Sequence, residues 1–188
     1  MEYYEFFKNE WDVEIDINLY GWVWGDTGDK GIIELLCKLS KDKNVFEIGT
    51  YRGRTTHALS KNAKQVYTFD LGENTSGEGY SDYEVGELWK KSGCENVTQL
   101  IGNSLTFDFS PYYNMFDVVF LDAGHSYEAA KNDFYVSLNL LKDGGHMIID
   151  DPEWDGVKKA VNELKKDYDI KRIQNINYYR KKYSVELG

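Results

Sequence analysis

Asn44-Val-Phe-Glu-Ile-Gly-Thr-Tyr-Arg-Gly53, continuing to Asp70, decides how this chain is read. Val45, Phe46 and Ile48 form a short apolar run of the kind a buried parallel strand shows. The run stops at Gly49 and resumes as helix-compatible sequence after Gly53, with Thr55, Thr56, Ala58 and Leu59. A second short strand, Gln65-Val-Tyr-Thr-Phe-Asp70, ends on an acid. The unit is strand, glycine turn, helix, strand. In open α/β sheets a ligand sits at such a strand end, and backbone N–H groups at a helix start suit a carboxylate or phosphate. An acid closing the next strand accepts hydrogen bonds from ribose hydroxyls. The dinucleotide fingerprint needs Gly-x-Gly-x-x-Gly. Here only Gly49 and Gly53 are present, with Glu47 two residues ahead of the first.

Downstream, the same alternation continues. Ile32, Leu35, Leu36 and Leu39 keep helical spacing to about Ser40, after turn chemistry at 25–29, where Thr27 or Asp29 suits a cap. Residues 81–91 read as a helix with Val85, Leu88 and Trp89 on its apolar face. Val97-Thr-Gln-Leu-Ile101 reads as a third strand, ending in Gly102-Asn103-Ser104. Phe116-Asp-Val-Val-Phe-Leu-Asp122 is the clearest strand. Ser126 is placed to cap a helix whose apolar stripe is Tyr127, Ala130, Phe134, Leu138 and Leu141, ended by Gly144-Gly145. A fifth strand, 146–150, is followed by a helix with Val157, Val161 and Leu164 inward. Segments 168–174 and 178–187, joined by a short turn, predict an antiparallel hairpin. The expectation is an α/β fold: a Rossmann-like, seven-stranded sheet, mostly parallel with one antiparallel strand, with helices on both faces. One domain covers 1–188, with an aromatic-rich cap segment over 1–26 and the core over 27–188. The polar, glycine-rich stretch 71–79 sits where a lid over the mouth would be.

The chain has 188 residues, with 41% hydrophobic and 29% charged. That suits one domain with a full core. A net charge of −10 opposes a general nucleic-acid binder, because phosphate affinity comes largely from Lys and Arg. A small neutral or cationic substrate fits better. No apolar run approaches the roughly 20 residues of a membrane span. The first residues lack a basic region leading into an apolar one, so a cytoplasmic location is expected. Two cysteines, Cys37 and Cys94, show no metal spacing; Cys37 reads as a small buried side chain. The sequence leaves a homo-oligomer open.

Glu47-x-Gly49-x-x-x-Gly53, with Asp70 closing the next strand, resembles the first two motifs of the class I S-adenosylmethionine (SAM) dependent methyltransferases. The resemblance runs from about Lys30 onward. It implies SAM as cofactor, with contacts from Glu47, Gly49, Thr50, Tyr51, Gly53, Asp70, Leu71, Asn103, Ser104 and Asp122. Phe120-Leu-Asp-Ala-Gly-His-Ser-Tyr-Glu128 and Gly144-Gly-His-Met-Ile-Ile-Asp-Asp151 are similar to the small-molecule O-methyltransferases, the macrolide-sugar group more than the catechol group. That group includes members that use Mg²⁺ and members not known to. Asp122, Asp150 and Asp151 resemble its metal site, and acids crowded at adjacent strand ends suit an oxygen-ligated cation. The other reading has Asp122 on the SAM amino group or a loop N–H, and Asp150-Asp151 capping the next helix.

The expected reaction is O-methylation of a small-molecule hydroxyl, such as one on a sugar or glycoside. His125 lies three residues past Asp122 on a loop facing the same mouth, and histidine titrates in the range a general base needs. Asp122 and His125 are therefore the candidate catalytic pair. His57, His146, Tyr127 and Glu128 read as structural, and Arg52 and Arg54 as solvated. A nicotinamide-dependent oxidoreductase and a non-catalytic SAM-binding module remain the alternatives.

Overall fold

The computed structural model describes residues 27–72, 84–173 and 176–182. The cap segment, the glycine-rich stretch from Glu73 to Tyr83 and the hairpin turn therefore lie outside the described residues. Seven strands form one sheet in the order β3-β2-β1-β4-β5-β7-β6. They are β1 (Asn44–Ile48), β2 (Gln65–Asp70), β3 (Val97–Ile101), β4 (Phe116–Leu121), β5 (Leu141–Ile149), β6 (Lys171–Ile173) and β7 (Ile176–Arg180). All pairings among β1 to β5 are parallel. β7 runs antiparallel to both β5 and β6, so it is the single reversed strand among the described residues.

The helices are α1 (Thr27–Leu39), α2 (Arg54–Ser60), α3 (Glu87–Lys91), α4 (Tyr127–Leu140) and α5 (Asp155–Leu164). Side chains alternate across the sheet, which divides the apolar residues into two cores. Val45, Val66, Phe120 and Ile148 join Leu35, Leu36 and Leu39 of α1 and Leu59 of α2 on one face. Phe46, Ile48, Phe69 and Met147 join Phe134 of α4 and Val157, Val161 and Leu164 of α5 on the other. Burial of this kind contributes roughly 25 cal/mol per Å² of apolar surface. Cys37 is buried in α1 as expected, and its Sγ donates to the Ala58 carbonyl.

Several boundaries differ from the sequence expectation. α4 stops at Leu140, and Gly144-Gly145 lies inside β5. Leu141 is fully buried opposite Phe116, and the next pair is Val118 with His146. Residues 142–145 are thus an excursion in β5, and Gly144 at φ +75 supplies its turn. The hydrophobic demand of Leu141 for the core outweighs the helix-stop signal that follows it. Ala130, Phe134, Leu138 and Leu141 of the predicted stripe pack in the core, and Asp133, Ser137 and Leu140 are buried beside them. α3 begins only at Glu87, after Gly86 at φ +74.

Candidate active site

β1 and β4 are neighbours although their helices pack on opposite faces, so the strand order reverses between them. The crevice outside the carboxyl ends of such strands is where ligands bind. Gly49 and Asp122 meet there. Gly49 has φ +106, and a Cβ on it would lie 1.7 Å from the Asp122 carbonyl oxygen. The Asp122 N–H donates to the Ile48 carbonyl at 2.9 Å. Gly49 is therefore required by the crossing of the two strand ends. Gly53, at φ +81, has Trp89 and Gly86 against the position of a Cβ.

The loop between these glycines is tied to Asp70. Asp70 Oδ2 accepts from the Thr50 N–H at 3.0 Å and the Tyr51 N–H at 2.8 Å. Its Oδ1 accepts from the Gly72 N–H at 3.1 Å. The Gly53 N–H is bonded within the loop, to the Thr50 carbonyl. These amides do not wait for an anion, as the sequence suggested; they organise the loop. A carboxylate has about four acceptor positions, and these three amides fill three of them.

Glu47 lies beneath this loop, not in it. Its side chain points into the α1/α2 face and is fully buried. Oε2 accepts from the hydroxyls of Thr56 and Thr68, the latter at 2.6 Å. The Thr68 proton is engaged there, so Thr50 Oγ1, 2.6 Å from Thr68 Oγ1, is the donor to it. Gln99 Nε2 donates to Thr50 at 2.9 Å. Oε1 of Glu47 is buried with no partner. Burial pushes the carboxyl up to about 7, against the two threonine hydrogen bonds that pull it down. In this geometry Glu47 supports the loop through Thr68 and Thr50 and has no surface for a cofactor.

Leu71 and Ile101 are exposed at the ends of β2 and β3, where Asp70 pairs with Ile101. Leu105, in the loop after β3, is exposed as well. Asn103 Oδ1 accepts from the Leu105 N–H at 2.9 Å, which shapes that loop. The Ser104 carbonyl accepts from Asn132 Nδ2 of α4 at 3.1 Å.

An open cleft is lined by Asp122, His125, Asp133, Asp150 and Asp151 among others. Asp133 was not anticipated. It occupies a buried position on α4, and burial pushes its carboxyl up, while hydrogen bonds from Ser104 and Asn132 pull it down. The signal for it was an acid three residues past Ala130, within the apolar stripe. The acidic lining suits the positively charged sulfonium and amino group of SAM.

The expected metal site is not formed. Among the described residues no group of three or more His, Cys, Asp and Glu side chains is arranged to hold a metal ion. Asp150 Oδ1 accepts from the Asp151 N–H at 2.9 Å. Asp151 Oδ2 lies 2.7 Å from His125 Nε2. Neither acid caps α5, whose N-cap residue is Trp154. Of the three acids expected to hold Mg²⁺, Asp150 is thus engaged in the turn and Asp151 with His125. His125 also stacks on Trp154, with ring centroids 4.5 Å apart and planes 9° apart. Nothing in the sequence pattern marked Trp154. Ser126 caps α4 as expected, accepting from the Ala129 N–H at 3.1 Å.

His146 is structural, as expected: buried on β5, with Nδ1 3.2 Å from the Tyr178 hydroxyl, its pKa lowered to about 3 by burial and by Lys43 and Arg180. Arg52, expected to be solvated, pairs with the largely buried Glu87.

A family model described as "Methyltransferase domain" matches residues 46–152, from β1 to the turn after β5. The chain belongs to this methyltransferase family. The chain is 33% identical to protein-L-isoaspartate O-methyltransferase 1 of Nitrosospira multiformis over 114 residues, 61% of this chain and 43% of that relative. The chain thus spans less than half of that relative's length. Among solved structures, the O-methyltransferase NovP has a TM-score of 0.63 at 16% identity, covering 81% of this chain and 80% of that one. An rRNA methylase from Streptococcus thermophilus has a TM-score of 0.62 at 17% identity, covering 86% of this chain and 100% of that one. A SAM-dependent O-methyltransferase from Thermotoga maritima has a TM-score of 0.61 at 16% identity, covering 90% and 71%. The resemblance to class I SAM-dependent methyltransferases therefore holds in family and in fold. No helix among the described residues is long and apolar enough to cross a membrane.

Proposed function

We propose that this methyltransferase transfers the methyl group of SAM to a hydroxyl oxygen of a small molecule, such as a sugar or glycoside, with His125 as the base. The observation that carries this reading is His125 at the mouth of the cleft, held by Asp151 at 2.7 Å and lining the same wall as Asp122. An alcohol must lose its proton to become a competent nucleophile, and an imidazole is suited to take it near neutral pH.

When bound, SAM would supply a methyl group already activated on a sulfonium. The chain's own residues hold and align. Asp70 offers its remaining acceptor position to the ribose. Leu71, Asn103 and Ser104 flank the base. Thr50 and Tyr51, fixed by Asp70 between Gly49 and Gly53, shape the floor. Asp122 and Asp133 set a negative potential for the cationic end. Alignment of donor and acceptor is the larger share of the catalysis. The net charge of −10 favours a small acceptor over RNA.

The test is calorimetric titration with SAM, with NADH as control, followed by a panel of glycosides, catechol, tRNA and an isoaspartyl peptide read by mass spectrometry. SAM binding with methylation of a hydroxyl acceptor supports the reading. His125→Ala should then lower kcat by about 10²–10⁴-fold with SAM affinity unchanged. Full activity in His125→Ala overturns the base. Methylation of the isoaspartyl carboxylate, the acceptor class named for the Nitrosospira relative, also counts against it, since a carboxylate needs no deprotonation. SAM binding without turnover of any panel member favours a non-catalytic module.

A further inference from the structure

The turn after β5 and the first turn of α5 hold His125 from three sides. On the ring edge, Asp151 Oδ2 lies 2.7 Å from Nε2. On the ring face, the Trp154 indole stacks at 4.5 Å. On the backbone, Gly156 presses against the loop: a Cβ there would lie 2.1 Å from the His125 carbonyl oxygen and 2.7 Å from the Tyr127 nitrogen. Only glycine permits this approach of α5 to the loop.

The turn itself is built to aim Asp151. Its backbone has φ +51, a conformation rare for any residue with a Cβ and tolerated best by Asn and Asp. Two hydrogen bonds keep it there. The Asp151 N–H donates to Asp150 Oδ1 at 2.9 Å, and the Trp154 N–H donates to the Asp151 carbonyl at 3.1 Å. Strain maintained by its surroundings at a cleft is a pointer to function.

We infer that Asp151 is a positioning residue that fixes His125 as its Nε2–H tautomer, leaving Nδ1 as the nitrogen that takes the acceptor proton. An ionised carboxylate only accepts hydrogen bonds, so the proton between Asp151 and Nε2 belongs to the imidazole. Which ring nitrogen carries the proton is set by the bond the other group makes to it. Trp154 on the ring face and Asp151 on its edge limit rotation of the ring, and the close approach of Gly156 holds its backbone, so Nδ1 keeps one direction. The inference rests on His125 as the base of the proposed reaction, and it assigns Asp151 to histidine instead of to a cation.

Long-range ¹H–¹⁵N correlation of the histidine rings at pH 8 tests it directly. The chain has three histidines, so His125→Ala assigns the His125 signals. Wild-type protein should show His125 with a protonated Nε2 and an unprotonated Nδ1. Asp151→Asn suits the same backbone conformation but offers an amide that can donate or accept, so the pattern should move to a mixture of tautomers. Asp151→Gly, which also tolerates the positive φ, should do the same. An Nδ1–H tautomer in the wild type, or an unchanged spectrum in both variants, overturns the inference. On the acceptor found in the panel, Asp151→Asn should lower kcat by about 10–100-fold with the KM for SAM within about twofold. The double variant with His125→Ala should fall no further than His125→Ala alone. Additive losses overturn the inference, as does saturable Mg²⁺ binding to wild type that Asp151→Asn abolishes. Full activity in His125→Ala instead overturns the base itself, and the ring spectra still decide the tautomer.

Discussion

The Cβ position of Gly49 falls 1.7 Å from the carbonyl oxygen of Asp122, so the end of β1 and the end of β4 touch through backbone alone. Any side chain at residue 49 must displace the loop that carries Asp122 and His125. It must also adopt φ +106, which an L side chain rarely does. Gly49→Ala is expected to lower Tm by roughly 10 °C or to prevent soluble folding, measured by thermal unfolding. A shift under about 2 °C would show that the strand ends separate easily.

Asp70 holds three amides of the loop and its exit: Thr50, Tyr51 and Gly72. Asp70→Ala leaves them to water and removes the acceptor for the ribose. The expected cost is about 2 kcal/mol of stability. SAM affinity should weaken more than tenfold by calorimetry. Unchanged affinity would mean the loop keeps its shape without the carboxylate.

Glu47 gives stability a pH dependence of definite sign. Its folded pKa is raised by burial from 4.5 to about 7. Between these values the folded state binds the proton more tightly than the unfolded chain. The contribution to stability is therefore fully present below about pH 4.5 and is lost as pH rises through 7. The loss is of order a few kcal/mol. His146 works in the opposite sense, because its folded pKa is lowered from 6.5 to about 3. Its contribution is present above 6.5 and is lost as pH falls through 3. Comparing wild type with Glu47→Gln across pH 5 to 8 isolates the glutamate. The wild type should lose stability relative to the variant as pH rises, and a constant difference would overturn the assignment.

Mg²⁺ is expected to have no effect on Tm, because Asp150 and Asp151 are committed to the turn backbone and to His125. A hard cation needs several oxygen ligands in one shell, and among the described residues no three such side chains are arranged to supply them. Thermal unfolding with excess MgCl₂ and with a chelator should therefore give the same Tm. A rise of several degrees with Mg²⁺ would return the two acids to the metal.

The alternation of apolar runs placed the strands and helices because buried strands and amphipathic helices each impose a spacing on their side chains. Val45 to Ile48, Phe116 to Leu121 and the valines of α5 were legible for that reason. The antiparallel hairpin was legible from its short turn, although β7 begins at Ile176, two residues earlier than the sequence suggested. The end of α4 was not, since Gly144-Gly145 is a stop signal for a helix and equally a turn within a strand. Only the burial of Leu141 against Phe116 decides between them.

By itself the sequence determined the α/β alternation, the glycine turn, the acid closing β2 and His125 beside Asp122. These follow from local chemistry and periodicity, which neighbouring residues carry. The tertiary structure alone decided what each acid does. Glu47, Asp70, Asp133, Asp150 and Asp151 are alike in sequence, and a carboxylate's role depends on which donors reach it. Folding buries Glu47 under two threonines, gives Asp70 three amides and turns Asp151 to His125. Thr68 stands 21 residues from Glu47, Thr50 stands 20 from Asp70 and His125 stands 26 from Asp151, so no local spacing could announce these partners.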